Sequence, residues 1–179
     1  MTPDPKDPSA LPDTLRLALR VLGPEDAPGL QRVFAASGDY FLPLTGRPEP
    51  DPDAAERELR GGAGTPGRDV ALVTLRESGE PVGALGWWRG NPGPDQALLG
   101  MLLVVPEQRG RGIAREALDA LEGWLAGGGI RSLRTSVGLR DYRSQEVLAA
   151  LGFARMSIRD HQALGLQGAT LSLWEKQLG

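Results

Sequence analysis

Val104-Val105-Pro106-Glu107-Gln108-Arg109-Gly110-Arg111-Gly112-Ile113-Ala114-Arg115 decides how this chain folds, because it carries an apolar strand through a basic, glycine-rich loop into a helix. The strand arrives as Ala97-Leu98-Leu99-Gly100-Met101-Leu102-Leu103-Val104-Val105. So unbroken an apolar run suits a strand covered on both faces, and therefore a central one. Beyond the loop, Ile113, Ala114, Ala117, Leu118, Leu121, Trp124 and Leu125 share one helical stripe, with Arg115, Glu116, Asp119 and Glu122 off it. That 3.6-residue period predicts a core-facing surface helix. Its beginning is anomalous. A helix N-terminus carries partial positive charge, so acids belong there, each worth about 0.3–1 kcal/mol. Here Arg109, Arg111 and Arg115 crowd that end, and Glu107, before the turn, is read as the only nearby acid. A bound anion reverses the argument: free amides, glycines that let a phosphate approach the backbone, and guanidinium forks together make a phosphate site. The alternative is an ordinary strand-to-helix turn that happens to be basic.

Working outward, Leu15, Leu17, Leu19 and Val21 alternate with Arg16, Ala18 and Arg20, a half-buried strand from residue 14. Pro24-Glu25-Asp26 opens a helix to about residue 36, and Gly38-Asp39-Tyr40-Phe41 ends it. Residues 42–52 read as a proline-rich loop, 53–60 as a second short helix, and 61–67 as a flexible glycine tract. Strands are predicted over 70–77 and 82–89, joined at Ser78-Gly79 by a hairpin turn of the two-residue kind. With the organising strand they make a three-stranded antiparallel meander. Gly127-Gly128-Gly129 stops the long helix, and residues 130–137 form a fifth strand, which a helical crossover places parallel to the fourth. Asp141 is a candidate N-cap for a helix to Leu151, stopped by Gly152. Residues 153–161 and 169–177 complete the sheet as an antiparallel pair. The expected class is α/β (α+β): a mixed, mostly antiparallel sheet of about seven strands with about four helices.

The chain has 179 residues, enough for one domain with a sizeable core. Residues 1–13, with Pro3, Pro5, Pro8 and Pro12, are expected to be a disordered arm, leaving 14–179 as the single domain. A formal net charge of −3 gives no reason to expect nucleic acid as a partner. Without cysteine there is no thiolate nucleophile and no cysteine metal site, and one histidine does not make a metal cluster. No apolar run approaches a membrane span, and the N-terminus lacks the segments of a signal peptide. The expected location is cytoplasmic, with no membrane partner and no metal.

The loop is not a dinucleotide fingerprint, since Arg115 stands where the third glycine would be, and no Walker sequence is present. Arg109, Gly112 and Ala114 do match R/Q-x-x-G-x-G/A after an apolar strand, which resembles the pyrophosphate loop of the GCN5-related N-acetyltransferases. Residues 141–153 are similar to that family's N-x-x-A-x-x-[LV]-Y-x-x-x-G-F segment through Val147, Leu151, Gly152 and Phe153. They depart from it with Asp141 for asparagine, Ser144 for alanine and Leu148 for the tyrosine of many members. The resemblance covers the chain from about residue 14 to its end and implies an acetyl-CoA-dependent N-acetyltransferase. It also implies that Arg109, Gly110, Arg111, Gly112, Ile113 and Ala114 anchor the pyrophosphate. Backbone groups of Leu102, Leu103 and Val104 would lie along the pantetheine arm where the fourth and fifth strands splay apart, and Asp141 would reach that arm. The run around Gly38 and the Leu-Leu-Gly-Met-Leu-Leu segment look similar to bacterial members acting on small molecules.

Transfer to an amine also needs donors for a developing oxyanion, and a base for an acceptor whose pKa is about 10.4 if lysine-like. Backbone amides near Leu103 are the candidate donors, and Gly100 makes a bulge plausible there. Many relatives carry an acid on the fourth strand; this strand has none, so the base is open. Ser144, one turn before Leu148, and Tyr142 are the candidate acids for the leaving thiolate, each with a plain reading as a helix-start or packing residue. Asp39, Tyr40, Phe41, Trp87 and Trp88 are candidates for the acceptor pocket, although adjacent strand tryptophans point to opposite faces. His161 reads as a surface or packing residue. The acceptor is expected to be a small-molecule amine in preference to a peptide. A non-catalytic acyl-CoA-binding or regulatory module is the alternative. Family members often form homodimers, and nothing in this sequence settles association.

Overall fold

The computed structural model describes residues 10–157, 159, 160 and 170–179. Among them seven strands, β1 (Leu17–Val21), β2 (Arg68–Leu75), β3 (Pro81–Arg89), β4 (Gln96–Val104), β5 (Ser132–Gly138), β6 (Ala154–Arg155) and β7 (Leu171–Gln177), form one sheet. Their order is β1-β2-β3-β4-β5-β7-β6. The expected meander of β2, β3 and β4 is antiparallel, and β4 runs parallel to β5 across the long crossover helix. The helices are α1 (Ala27–Ala36), α2 (Gly38–Thr45), α3 (Ala54–Ala63), α4 (Ile113–Gly127) and α5 (Tyr142–Ala150).

The two sheet faces follow from β3. Trp87 meets Trp124 of α4 edge-on at 5.8 Å between ring centres, whereas Ala84 pairs with Leu72, which lies beneath Gly29 of α1. Strand alternation therefore puts α4 on one face and α1 with α3 on the other. Leu17, Leu30, Leu85, Leu118, Leu121 and Leu133 are fully buried between these layers. Burying each such side chain contributes about 1.5–3 kcal/mol.

Four local expectations need correction. A helix, α2, replaces the proline-rich loop after Phe41 and carries Pro43 within it. The missing N–H costs one helical bond, but Phe41 is buried and packs edge-on against Phe34 at 5.1 Å, and Gly46, at φ 75°, closes the helix. Tertiary packing overrides local propensity here. The glycine tract is not all loop, because α3 continues through Gly61 and Gly62 to Ala63. The hairpin turn is longer than two residues: β2 ends at Leu75, whose amide reaches the Glu80 carbonyl at 2.9 Å, with Gly79 at φ 71°. β6 covers two residues where a strand over 153–161 was expected; His161 lies outside the described residues, as do residues 1–9 of the N-terminal arm.

β4 and β5 are paired only from Gln96 to Leu98 against Ser132 to Arg134. Beyond that the Thr135 hydroxyl donates to the Leu99 carbonyl at 2.8 Å, and β5 continues alongside β7 instead. The register between β3 and β4 also slips at this point, leaving Gly100 as the extra residue of a bulge. The two central strands thus separate at the middle of the sheet, as expected.

Candidate active site

The loop after β4 passes through a short 3-10 turn, Pro106–Gln108, and enters α4 with Gly110 at φ 72° and Gly112 at φ 79°. Both values lie in the left-handed region that favours glycine. None of the backbone amides of residues 110–115 has an acceptor within the protein among the described residues. A methyl group at Gly110 would meet open space, and one at Gly112 would meet only the Arg16 guanidinium. Consecutive unpaired amides at a helix N-terminus, with room above the glycines, form an anion cradle.

The three arginines of this loop do not all face the cradle. The Arg109 Nε donates to the Val104 carbonyl at 2.8 Å, and its two terminal nitrogens donate to Asp39 Oδ2 and Oδ1 at 2.6 and 3.0 Å. Arg115 turns away and donates to the Ala150 carbonyl at the end of α5. Arg111 alone is exposed with no side-chain partner among the described residues. The sequence reading also placed no acid in the first turn of α4, yet Glu116 stands there. Glu116 accepts from the Thr14 hydroxyl at 2.5 Å, the Arg16 amide at 3.1 Å and the Arg16 Nε at 2.6 Å. Burial pushes the Glu116 carboxyl up, and the bonds from Thr14 and Arg16 outweigh it, so its pKa lies below the usual value. Arg16, which the sequence reading missed, also donates to the Arg111 carbonyl at 3.0 Å and so braces the loop. A partner 95 residues away leaves no local signal.

On the β3 side of the chain at the end of β4, the Val105 amide donates to the Val82 carbonyl at 2.9 Å. Alternation then turns the Leu103 backbone toward β3, where it pairs with Ala84, and turns the backbone groups of Leu102 and Val104 toward the splay. The Leu103 backbone is therefore turned into the sheet, and the amides near it that face the splay are those of Leu102 and Val104. Leu102 and Val104 are the residues whose backbone can face an extended ligand.

α5 borders the splay and is held by its ends. The Asp141 carboxylate caps it by accepting from the Ser144 amide at 3.0 Å. At the other end Gly152 takes φ 92°, Phe153 donates to the Leu148 carbonyl, and Gly152 donates to Ala149, both at 3.0 Å. This is a Schellman closure, whose hydrophobic partners Leu148 and Phe153 are both buried. Lys176 adds a bond to the Leu151 carbonyl at 2.9 Å, beside that from Arg115, placing two cations at the negative end of the helix. Tyr142 is 69% exposed and Ser144 half-buried.

The acceptor-pocket candidates are not brought together. Asp39, Tyr40 and Phe41 share α2, but Phe41 is a core residue, in ring contact with Tyr40 at 5.1 Å. Trp87 is buried under α4, and Trp88 is half-buried and faces the α1 and α3 side. Asp39 is bound to Arg109; those hydrogen bonds, against a smaller effect of burial and aided by the charges of Arg109 and Arg143, hold its carboxyl below the usual range. Burial, with the charge of Glu58, pushes the Tyr40 hydroxyl up. Among the described residues no His, Cys, Asp or Glu group could hold a metal ion, and no helix is long and apolar enough to cross a membrane.

The sequence matches the acetyltransferase (GNAT) family over residues 33–153. No curated protein matches it. Among solved structures, an acetyltransferase from Thermus thermophilus is 32% identical, with 93% of this chain and 100% of that one covered and a TM-score of 0.76. A probable acetyltransferase from Chromobacterium violaceum is 19% identical, with 96% and 87% covered and a TM-score of 0.75. The PaiA N-acetyltransferase of Thermoplasma acidophilum, solved in complex with coenzyme A, is 14% identical, with 91% and 99% covered and a TM-score of 0.66.

Proposed function

This chain belongs to the GNAT family of acetyltransferases, and from that premise we propose that it transfers an acetyl group from acetyl-CoA to a primary amine of a small molecule. The observation that carries the reading is the cradle of unpaired amides at residues 110–115 beside the splay of β4 and β5. The cradle fits a diphosphate, because its donors lack acceptors and its glycines leave space. Arg111 supplies the free guanidinium there. The backbone of Leu102 and Val104 and the Asp141 carboxylate border the path an extended arm would take, and Asp141 can accept hydrogen bonds but not donate them. Acetyl-CoA bound in this way supplies the activated acyl thioester.

On the protein's side, the Leu102 and Val104 amides facing the splay are the donors for charge developing on a carbonyl oxygen. Ser144 and Tyr142 are the hydroxyls on α5 from which a thiolate could take a proton. No carboxylate stands on β4, so deprotonation of the ammonium falls to water or to an acid outside that strand. The buried Leu148, a packing partner in the closure of α5, favours a second reading in which the domain binds acyl-CoA without turnover.

Free-thiol release from acetyl-CoA, measured against simple amines, polyamines, aminoglycosides and peptides, separates the two. Acceptor-stimulated release with a small amine supports the transferase. Tight CoA binding with no stimulated release across the panel supports the binding module.

A further inference from the structure

α2 is weakly held by packing. It has eight residues, it contains Pro43, and Phe41 is its one buried side chain, while Leu42 and Leu44 are 51% and 65% exposed. Its first turn is held by Tyr40, which packs partly buried against the core, by the buried Ser37 that precedes it, and, toward the loop after β4, by the two-toothed pair between Asp39 and Arg109. Arg109 is also the first residue of the loop that forms the cradle, and its Nε is fixed on the Val104 carbonyl at the open edge of β4. One guanidinium therefore joins three parts: the end of the splayed strand, the loop after it and the first turn of α2. All five of its N–H groups cannot be given to a phosphate while these bonds stand.

We propose that Asp39 is a positioning residue: through Arg109 it ties the seat of α2 to the state of the loop, so that filling the cradle firms α2. This rests on the reading of residues 110–115 as a diphosphate cradle. The amides of residues 110–115 have no acceptor among the described residues, so a bound anion would add bonds that fix the loop. Arg109 passes that constraint to α2, and linkage requires the converse effect of α2 on cofactor affinity to be equal in size.

The test is hydrogen exchange of α2 amides, those of residues 40–42, 44 and 45, with coenzyme A as the probe and amides of β3 and α4 as internal controls for folding. In the wild type, saturating CoA is expected to slow α2 exchange at least threefold. In Asp39→Asn the slowing is lost, while the CoA dissociation constant rises about threefold at most. Asp39→Asn, Arg109→Gln and the double variant are expected to give the same α2 exchange without CoA, as residues acting as one unit do. Slowing that persists in Asp39→Asn, faster exchange in the CoA-bound wild type, or additive effects of the two substitutions would overturn the proposal. A wild type that fails to bind CoA in the preceding titration overturns the cofactor reading itself. Binding with an unresponsive α2 overturns this proposal alone.

Discussion

Gly112 holds φ 79° as the residue before α4, with only the Arg16 guanidinium near its missing side chain. Aspartate tolerates the left-handed region better than most residues, at about 1–2 kcal/mol, so Gly112→Asp should fold. Its carboxylate would stand among the amides offered to phosphate. Isothermal titration is expected to show CoA binding abolished with the circular dichroism spectrum retained; unchanged affinity would refute the cradle. The arginines divide in a comparable way. The Arg111 side chain has no partner among the described residues, and a charged hydrogen bond contributes about 1.5–3 kcal/mol, so Arg111→Ala should weaken CoA binding tenfold or more. Arg115→Ala should change it less than threefold, because that guanidinium is spent on the Ala150 carbonyl, and should instead speed amide exchange near residues 148–151. Equal losses in the two variants would contradict the assignment. Nothing in the sequence distinguishes these arginines, which sit in one crowded turn. Their roles are set by partners on α2 and α5 that only the fold brings near.

At the scale of elements, what the sequence shows depends on distance along the chain. The strand and helix around residues 97–125 were legible because hydrophobic period and glycine punctuation are local. So were the closures of α4 and α5, where Gly129 and Gly152 take left-handed φ. The helix α2 was not legible, since Pro43 argues against it and the packing of Phe41 on Phe34 argues for it only after folding. The tie between the N-terminal segment and α4 was hidden for the same reason: Glu116 meets Thr14 and Arg16 across about a hundred residues. That tie should show in acid. Glu116 has a folded pKa below its unfolded value of about 4.3, so its stabilisation is complete above that value and is lost as pH falls through the folded one. Thermal melts should show the wild type more stable than Glu116→Gln at pH 6, with the difference shrinking below about pH 4. A difference that persists undiminished at pH 2 would place the stabilisation elsewhere than in the carboxylate.

For the whole molecule, the sheet order and the splay between β4 and β5 set the loop that follows β4 at the end of the opening between the two strands. The meander, the parallel crossover and the bulge at Gly100 followed from the sequence read with its family resemblance. Which backbone groups face the splay did not, because register decides it: Leu103 pairs with Ala84, so Leu102 and Val104 are left facing outward. The base for the acceptor amine was equally silent, since an acid-free β4 names no substitute. The central claim is that a diphosphate sits on the backbone amides of residues 110–115 with its extended arm along Leu102 and Val104. Amide chemical shifts of the uniformly nitrogen-15-labelled protein, followed during titration with coenzyme A, test it most directly. The largest saturable shifts are expected at residues 110–115, with a second set at Leu102 and Val104. Shifts confined to other surfaces, or no saturable shift at millimolar coenzyme A, would contradict it.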